Sequence, residues 1–373
     1  MKVCWVSKYY RRGVVAVICL GIILMTFTKT SPWSRSQLQN DLGPELEAQR
    51  KQAFKQISTP TSTTFKQIPT ATSTMTTTTL KQCRDDFQEI FEKEKRYICF
   101  DIPGRLGNFM FAYASVYGMA TKVNKSVVTK TNNFLKYFRI KAKVVNDFCV
   151  CETAKFVYED KHCQFSKDLL NLTEKINYRP FRYFQSWMYF RHVADDIRQQ
   201  FRFKDELREK AVSIIKGSRE AFVKQQRGRG HDNVTTVGLH VRRGDITNNR
   251  HYVEYGYMVA PPQYFSTAMT YYRNKYNTTL FLVCSDDIAW CKENINGSDV
   301  MFMEDNPFEV DLAVLTQCNH SIMSVGTFGW WASFLAGGET IYYKHPARDG
   351  SKLRMQFSKD YSDFFYPGWI GME

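Results

Sequence analysis

From residue 233 to 343 the chain alternates short apolar runs with amphipathic stretches. The run 237–241 (VGLHV) predicts a buried strand, and it turns polar at once in Arg242, Arg243, Gly244 and Asp245. Residues 262–276 read as a helix, and 279–285 (TLFLVCS) as a second buried strand ending at Asp286 and Asp287. A short helix at 288–294, a strand at 300–303, an apolar helix at 311–319 capped by Asp311 and a strand at 321–325 follow. That strand ends at Gly326 and Thr327, a helix takes 328–336, and a strand at 340–343 closes the series. Strands alternating with helices predict an α/β fold with a parallel, doubly wound sheet. In such sheets ligands sit at the carboxyl ends of the strands. The polar clusters RRGD, SDD and GT all fall there.

An earlier block repeats the layout. Residues 97–101 (YICFD) read as a strand, 103–108 (PGRLGN) as a glycine loop, and 109–120 (FMFAYASVYGMA) as a helix. Strand, glycine loop and helix is the order of a loop that cradles a phosphate or another ligand. Asn108 suits either a helix N-cap or a ligand contact. Residues 123–230 show no clean period. Within them 179–191 (RPFRYFQSWMYFR) is aromatic and basic. It reads as core with arginines reaching out, an acceptor surface being the other option.

Chemistry narrows the picture. Formal net charge is +14, from 51 basic and 37 acidic residues. No nucleic-acid module signature occurs, so a phosphate-bearing ligand is the favoured partner. Arg242 and Arg243 at a strand end suit an anion, because planar guanidinium pairs its donors with phosphate oxygens. Taken alone, RRGD also reads as a loop ion pair in which Asp245 neutralises an arginine. No zinc-type Cys/His spacing is present, and no D-x-D sequence of the kind that holds a cation on a diphosphate.

The start of the chain points to a membrane. Residues 14–27 are almost continuously apolar, and Lys2, Lys8, Arg11 and Arg12 precede them. The run is short of the ~20 residues of a full span. A cleaved signal peptide is the competing reading, but no small-x-small site follows. An anchor with a cytosolic amino terminus is preferred. Beyond it, eleven of the twenty-one residues at 59–79 are threonine, as in a flexible stem. Sequons at Asn124, Asn171, Asn233, Asn277 and Asn296 suit a lumenal chain; a sixth, Asn319, falls in an apolar segment and reads as unused. Eight of the ten cysteines follow the anchor, which permits disulfides. Cys284 and Cys291 suit a local bridge or buried thiols.

GRLGN at 104–108, HVRRGD at 240–245, SDDIAWCKEN at 285–294 and the block 311–338 carry a resemblance, in that order, to the galactoside alpha-1,2-fucosyltransferases. These are animal type II Golgi enzymes that use GDP-fucose. The resemblance spans roughly 97–343, is most specific in its last block, and is thin over the stem and over 149–230. It implies a GT-B-like fold of two Rossmann-type halves. The expected division is a cytosolic tail at 1–12, an anchor at 13–28, a Thr/Ser-rich stem at 29–96, an acceptor-side domain at 97–230, a GDP-fucose domain at 231–345 and a C-terminal extension at 346–373.

The implied reaction is inverting transfer of fucose from GDP-β-L-fucose to the 2-hydroxyl of galactose on a glycan. No metal and no cofactor beyond the donor are implied. Arg242 is the expected diphosphate clamp, Arg243 its partner, and Asp245 either a catalytic group or the brace of the loop. His240 is expected near the nucleotide. Thr327 and Phe328 are expected to offer backbone N–H groups, and Asp286 or Asp287 to receive guanine N1–H and N2–H or to cap the next helix. Gly104, Arg105 and Asn108 are expected beside the fucose or acceptor. Asp245 and Glu254 are the nearest carboxylates to the arginine loop, and neither is assigned as base. The implied partners are GDP-fucose, a galactose-terminated glycan and the Golgi membrane, with no nucleic acid; a homodimer is admitted. Competing functions are a fucosyltransferase of another linkage and a silent glycan-binding protein on the same fold.

Overall fold

The computed structural model describes residues 96–102, 104–145, 149–226 and 233–373. The tail at 1–12, the apolar run at 13–28 and the stem at 29–95 lie outside the described residues. Among the described residues no helix is long and apolar enough to cross a membrane.

Two parallel sheets organise the chain. The first has strands β1 (Tyr97–Phe100), β2 (Ser126–Lys130), β3 (Ala142–Val145), β4 (Lys155–Tyr158) and β5 (Tyr178–Phe181), in spatial order β3-β2-β1-β5-β4. All neighbouring pairs are parallel. The second has β6 (Thr235–Val241), β7 (Thr279–Ser285), β8 (Val300–Phe302), β9 (His320–Met323), β10 (Thr340–Tyr343) and β11 (Ile370–Met372), in order β11-β10-β9-β6-β7-β8. These pairs are parallel too. The second sheet therefore has one place where the chain reverses its direction of travel, between β6 and β9; in the first sheet the chain runs from β1 out to β3, crosses to the far edge at β4 and comes back beside β1 as β5. A switch point such as that between β6 and β9 opens a crevice at the strand ends.

The helices are α1 (Leu106–Lys122), α2 (Phe134–Tyr137), α3 (Ala194–Gln200), α4 (Asp205–Gln225), α5 (Gly244–Asn248), α6 (Arg250–Tyr255), α7 (Pro262–Lys275), α8 (Ile288–Asn294), α9 (Phe308–Thr316) and α10 (Thr327–Ala336). The second sheet is covered on both faces. Along β7, Leu280, Leu282 and Cys284 join one core with α9 and α10, while Phe281 and Val283 join another with α7. Burial on both faces is why TLFLVCS is continuously apolar.

The first of these cores runs on into the other half. Phe111 of α1 lies 4.5 Å from Trp330 and 5.1 Å from Trp331 of α10. Both tryptophans are fully buried and act in packing. This helix–helix contact brings the loop after β1 beside the start of α10. At Gly107 a Cβ would come 2.6 Å from Thr327 Oγ1 and 2.8 Å from Phe328 N. Only glycine lets α1 approach the start of α10 so closely.

Several elements differ from expectation. The helix expected at 311–319 begins at Phe308, directly after the extended Pro307, whose fixed φ starts it. Asp311 is therefore no cap; it is buried inside the helix, and burial pushes its carboxyl up to about 7. Helix α1 starts at Leu106 with Arg105 in the extended position before it, so Asn108 is not an N-cap either. The segment 346–373 is not an appendage, since β11 pairs with β10 and the Trp330 indole donates to the Phe364 carbonyl at 2.8 Å. Cys284 and Cys291 are free buried thiols, and Cys99 is bridged to Cys151. Within 179–191, Phe184, Tyr189 and Phe190 are core, whereas Phe181 is exposed and Arg179 pairs with Asp101 at 3.0 Å. The five expected glycosylation asparagines, Asn124, Asn171, Asn233, Asn277 and Asn296, are exposed. The Asn319 amide oxygen accepts from Thr236 N at 2.9 Å, which ties that side chain to β6.

Candidate active site

The arginine turn stands at the switch point of the second sheet. Leaving β6, Arg242 donates its backbone N–H to Ser324 Oγ, just past β9, at 2.9 Å. Its guanidinium then folds back on Asp245, with Nε donating to Oδ1 at 3.0 Å and Nη2 to Oδ2 at 2.9 Å. Arg105, from the glycine loop of the first half, donates Nη2 to the same Oδ2 at 2.5 Å. Asp245 thus joins the two expected loops. Burial alone would raise its carboxyl, but the bonds from Arg242 and Arg105 outweigh that and hold it down at about 2. Arg242 is firmly protonated, because the pairing with Asp245 overcomes its burial. Tyr252 and Tyr257 flank it, with rings 5.8 and 5.3 Å from the guanidinium carbon.

The end of β7 closes the turn from the other side. Asp286 accepts the backbone N–H of Arg243 at 2.8 Å and of Asp245 at 3.4 Å, one on each oxygen. Its pKa is raised by burial. Asp287 caps α8 by accepting from Trp290 N at 3.2 Å, and its Oδ2 lies 3.6 Å from Arg243 Nε. The Arg243 guanidinium lies over the Trp290 ring at 4.5 Å. The two arginines therefore face different ways, Arg242 toward β9 and α10, Arg243 toward α8.

Helix α10 supplies the opposing wall. Gly326 precedes it with φ +91°, and a Cβ there would meet Arg242 Nη1 at 2.6 Å. Glycine is needed both for that conformation and for the arginine to lie across the helix start. Thr327 Oγ1 donates to Asn108 Oδ1 at 2.9 Å, and Gln185 Nε2 donates to the same oxygen at 3.1 Å. Gly104 adjoins this group, since a Cβ on it would lie 3.0 Å from Asn108 Cβ and 3.1 Å from the Tyr183 ring. His240 is buried beneath α10; Gly329 leaves room for it, and its ring lies 5.1 Å from that of Phe328. Burial first, and Arg242 second, push its pKa down to about 3, so the imidazole is neutral.

The expected residues thus gather from four strand ends. Arg105 and Asn108 follow β1, His240 to Asp245 end or follow β6, Asp286 and Asp287 follow β7, and Thr327 and Phe328 follow β9. Glu254 stands apart, exposed and paired with Arg250 at 2.6 Å. Ser324, Gln185, Tyr252 and Tyr257 join the site without having been expected. Among the described residues no three His, Cys, Asp or Glu side chains come together as metal ligands. Two guanidiniums, of Arg242 and Arg105, meet on one carboxylate beside the N–H groups that open α10. That is an arrangement for an anion with several oxygens, and diphosphates meet it.

Comparison with known proteins gives the family. The model of "Glycosyl transferase family 11" matches residues 68–373. The chain is 35% identical over 287 residues to the galactoside alpha-(1,2)-fucosyltransferase 2 of Bos taurus, covering 72% of this chain and 77% of that one. It is 33% identical over 287 residues to the galactoside 2-alpha-L-fucosyltransferase SEC1 of Bos taurus, covering 72% of each. Against the Rattus norvegicus galactoside alpha-(1,2)-fucosyltransferase 2 the values are 34% over 287 residues, 72% and 75%. Among solved structures, the fucosyltransferase NodZ from Bradyrhizobium overlaps with a TM-score of 0.38 at 13% identity, over 64% of this chain and 91% of that one. An overlap so loose is no guide to the site.

Proposed function

The chain belongs to glycosyl transferase family 11, and from that premise we propose that it transfers L-fucose from GDP-β-L-fucose to the 2-hydroxyl of a galactose residue on a glycan. The transfer inverts the anomeric centre and needs no metal. The names of the relatives support fucose as the sugar transferred, galactoside as the acceptor and the linkage. The carrying observation is that Arg242 lies across the start of α10, at the switch point, fixed there by both oxygens of Asp245.

The chemistry follows from that placement. Breaking the fucose–phosphate bond puts positive charge on the anomeric carbon and negative charge on the leaving GDP. A guanidinium already held in place stabilises the departing diphosphate without reorganising during the reaction. The Thr327 and Phe328 N–H groups add donors on the same side. Asp286 spends both oxygens on the arginine turn and Asp287 caps α8 through Oδ1, so Asp287 Oδ2, 3.6 Å from Arg243 Nε, is the carboxylate oxygen proposed to receive a guanine N–H. Asn108, oriented by Thr327 and Gln185, presents its amide toward the sugars. Asp245 is the brace of the clamp. A carboxylate already bonded by two guanidiniums and held at about 2 is a weak acceptor for a hydroxyl proton.

The same reading places the protein in the Golgi membrane, anchored through 13–28 with the catalytic domain in the lumen. The apolar run and the five exposed sequons support it. The test of the clamp is Arg242→Ala. Transfer should fall by about 10²–10³-fold, the range for losing one transition-state donor, with the fold retained by circular dichroism. An active Arg242→Ala enzyme would remove the carrying observation.

A further inference from the structure

The two faces of the first sheet carry different sets of side chains. On one face α1 packs through a core that includes Ile98, Phe100 and Val127. Side chains alternate along strands, so Tyr97, Cys99, Val128 and Val145 point the opposite way. There they form a small cluster with the turn residues Cys149, Cys151 and Ala154. The same face continues to the edge strand β4. Phe156, Tyr158 and Phe181 stand there 44%, 48% and 48% exposed, with successive rings 6.1 and 5.8 Å apart. Lys130, Lys143 and Arg179 share the face by the strand registers. It is an apolar surface with a basic fringe, and large exposed patches of this kind mark contact surfaces.

Cysteine arithmetic names what covers it. The chain has ten cysteines. Cys99 is bonded to Cys151, and Cys163, Cys284, Cys291 and Cys318 are free. Cys149 is disulfide-bonded as well. Its partner is therefore Cys4, Cys19 or Cys83. Cys19 lies within the apolar run read as the anchor, and Cys4 lies before it. That leaves Cys83, fourteen residues ahead of Tyr97. The residues that follow it suit the surface. Phe87, Ile90 and Phe91 recur at helical spacing, and Asp85, Asp86, Glu89, Glu92 and Glu94 are acidic where the face is basic. The family match also begins at residue 68, well before β1.

We propose that residues 83–95 belong to the folded catalytic domain. A Cys83–Cys149 disulfide ties the segment to this face, Phe87, Ile90 and Phe91 cover the apolar surface, and the carboxylates lie opposite the basic fringe. Forming the bond joins the two sulfurs and passes two electrons and two protons to a disulfide oxidant of the secretory lumen, which leaves as a dithiol. The stem's free reach then ends before Cys83, and the tether enters the domain beside the first sheet.

The test uses the full-length protein in detergent, alkylated without reduction in denaturant and digested with trypsin. The expected product is one assembly of the peptides 82–84, 97–105 and 144–155, in which fragmentation joins Cys83 to Cys149 and Cys99 to Cys151. Recovery of Cys83 alkylated, of Cys149 joined to Cys4 or Cys19, or of a disulfide-linked dimer overturns the assignment. Docking is read separately, by hydrogen exchange. In Phe87→Ser/Phe91→Ser, with the disulfide present, amides of 97–100 and 126–130 should exchange at least about tenfold faster, as expected when a local cover is lost. Unchanged exchange overturns the docking even where the disulfide is found.

Discussion

Replacing Asp245 by asparagine separates a brace from a base. The side chain accepts from Arg242 at 3.0 and 2.9 Å and from Arg105 at 2.5 Å. Asparagine keeps the shape and one oxygen but removes the charge that both guanidiniums share. The Arg242 and Asp245 side chains are 17% and 12% exposed, so water is a poor substitute. Removing one partner of such a pair costs about 3–5 kcal/mol, and the retained oxygen puts the expectation near 3. The acid limb should change with it. A carboxylate held at about 2 against an ordinary 3.8 contributes stability above 3.8 and loses it as pH falls toward 2. Asp245→Asn should lose that part of the pH dependence. Urea unfolding of the full-length protein in detergent, followed from pH 7 to 2, measures both effects. A base acts otherwise: its loss lowers kcat by about 10²–10⁴-fold at unchanged stability. An Asp245→Asn variant as stable as the wild type, with the same acid limb and no turnover, would refute the brace.

Two further expectations follow from the crevice. Gly107→Ala places a methyl 2.6–2.8 Å from the start of α10, so stability should fall by about 1–3 kcal/mol and the KM for donor should rise; a silent substitution would mean that the helix contact does not set the site. In the proposed reaction Arg242 and the α10 N–H groups take the place of a cation, so transfer should persist in excess EDTA; loss of activity restored by a divalent metal would contradict that.

The second half was legible because its strands are buried on both faces. Continuous apolar runs such as 279–285 then mark them without any period-2 signal. The turn at Arg242 was legible for the same reason, since polarity breaks abruptly where β6 leaves the core. Beyond β1 and α1, the first half was not. Its strands β3, β4 and β5 have four residues each, and two lie near an edge where polar and apolar positions mix. Helix α4 has twenty-one residues but buries only Ala211, Ile215 and Phe222 fully, too narrow a stripe to stand out. The roles at Asn108 and Asp286 depended on contacts across 77 and 43 residues of chain, to Gln185 and to the arginine turn. No local pattern announces such contacts. Asp311 looked like a cap because it heads an apolar run, yet Pro307 had already started the helix.

The proposed activity is tested most directly by its product. The purified full-length protein, given GDP-fucose and an array of defined galactosides, should yield a fucoside whose linkage nuclear magnetic resonance identifies as alpha to the galactose 2-hydroxyl. Transfer to another hydroxyl, or hydrolysis of GDP-fucose with no galactoside accepted, would contradict it.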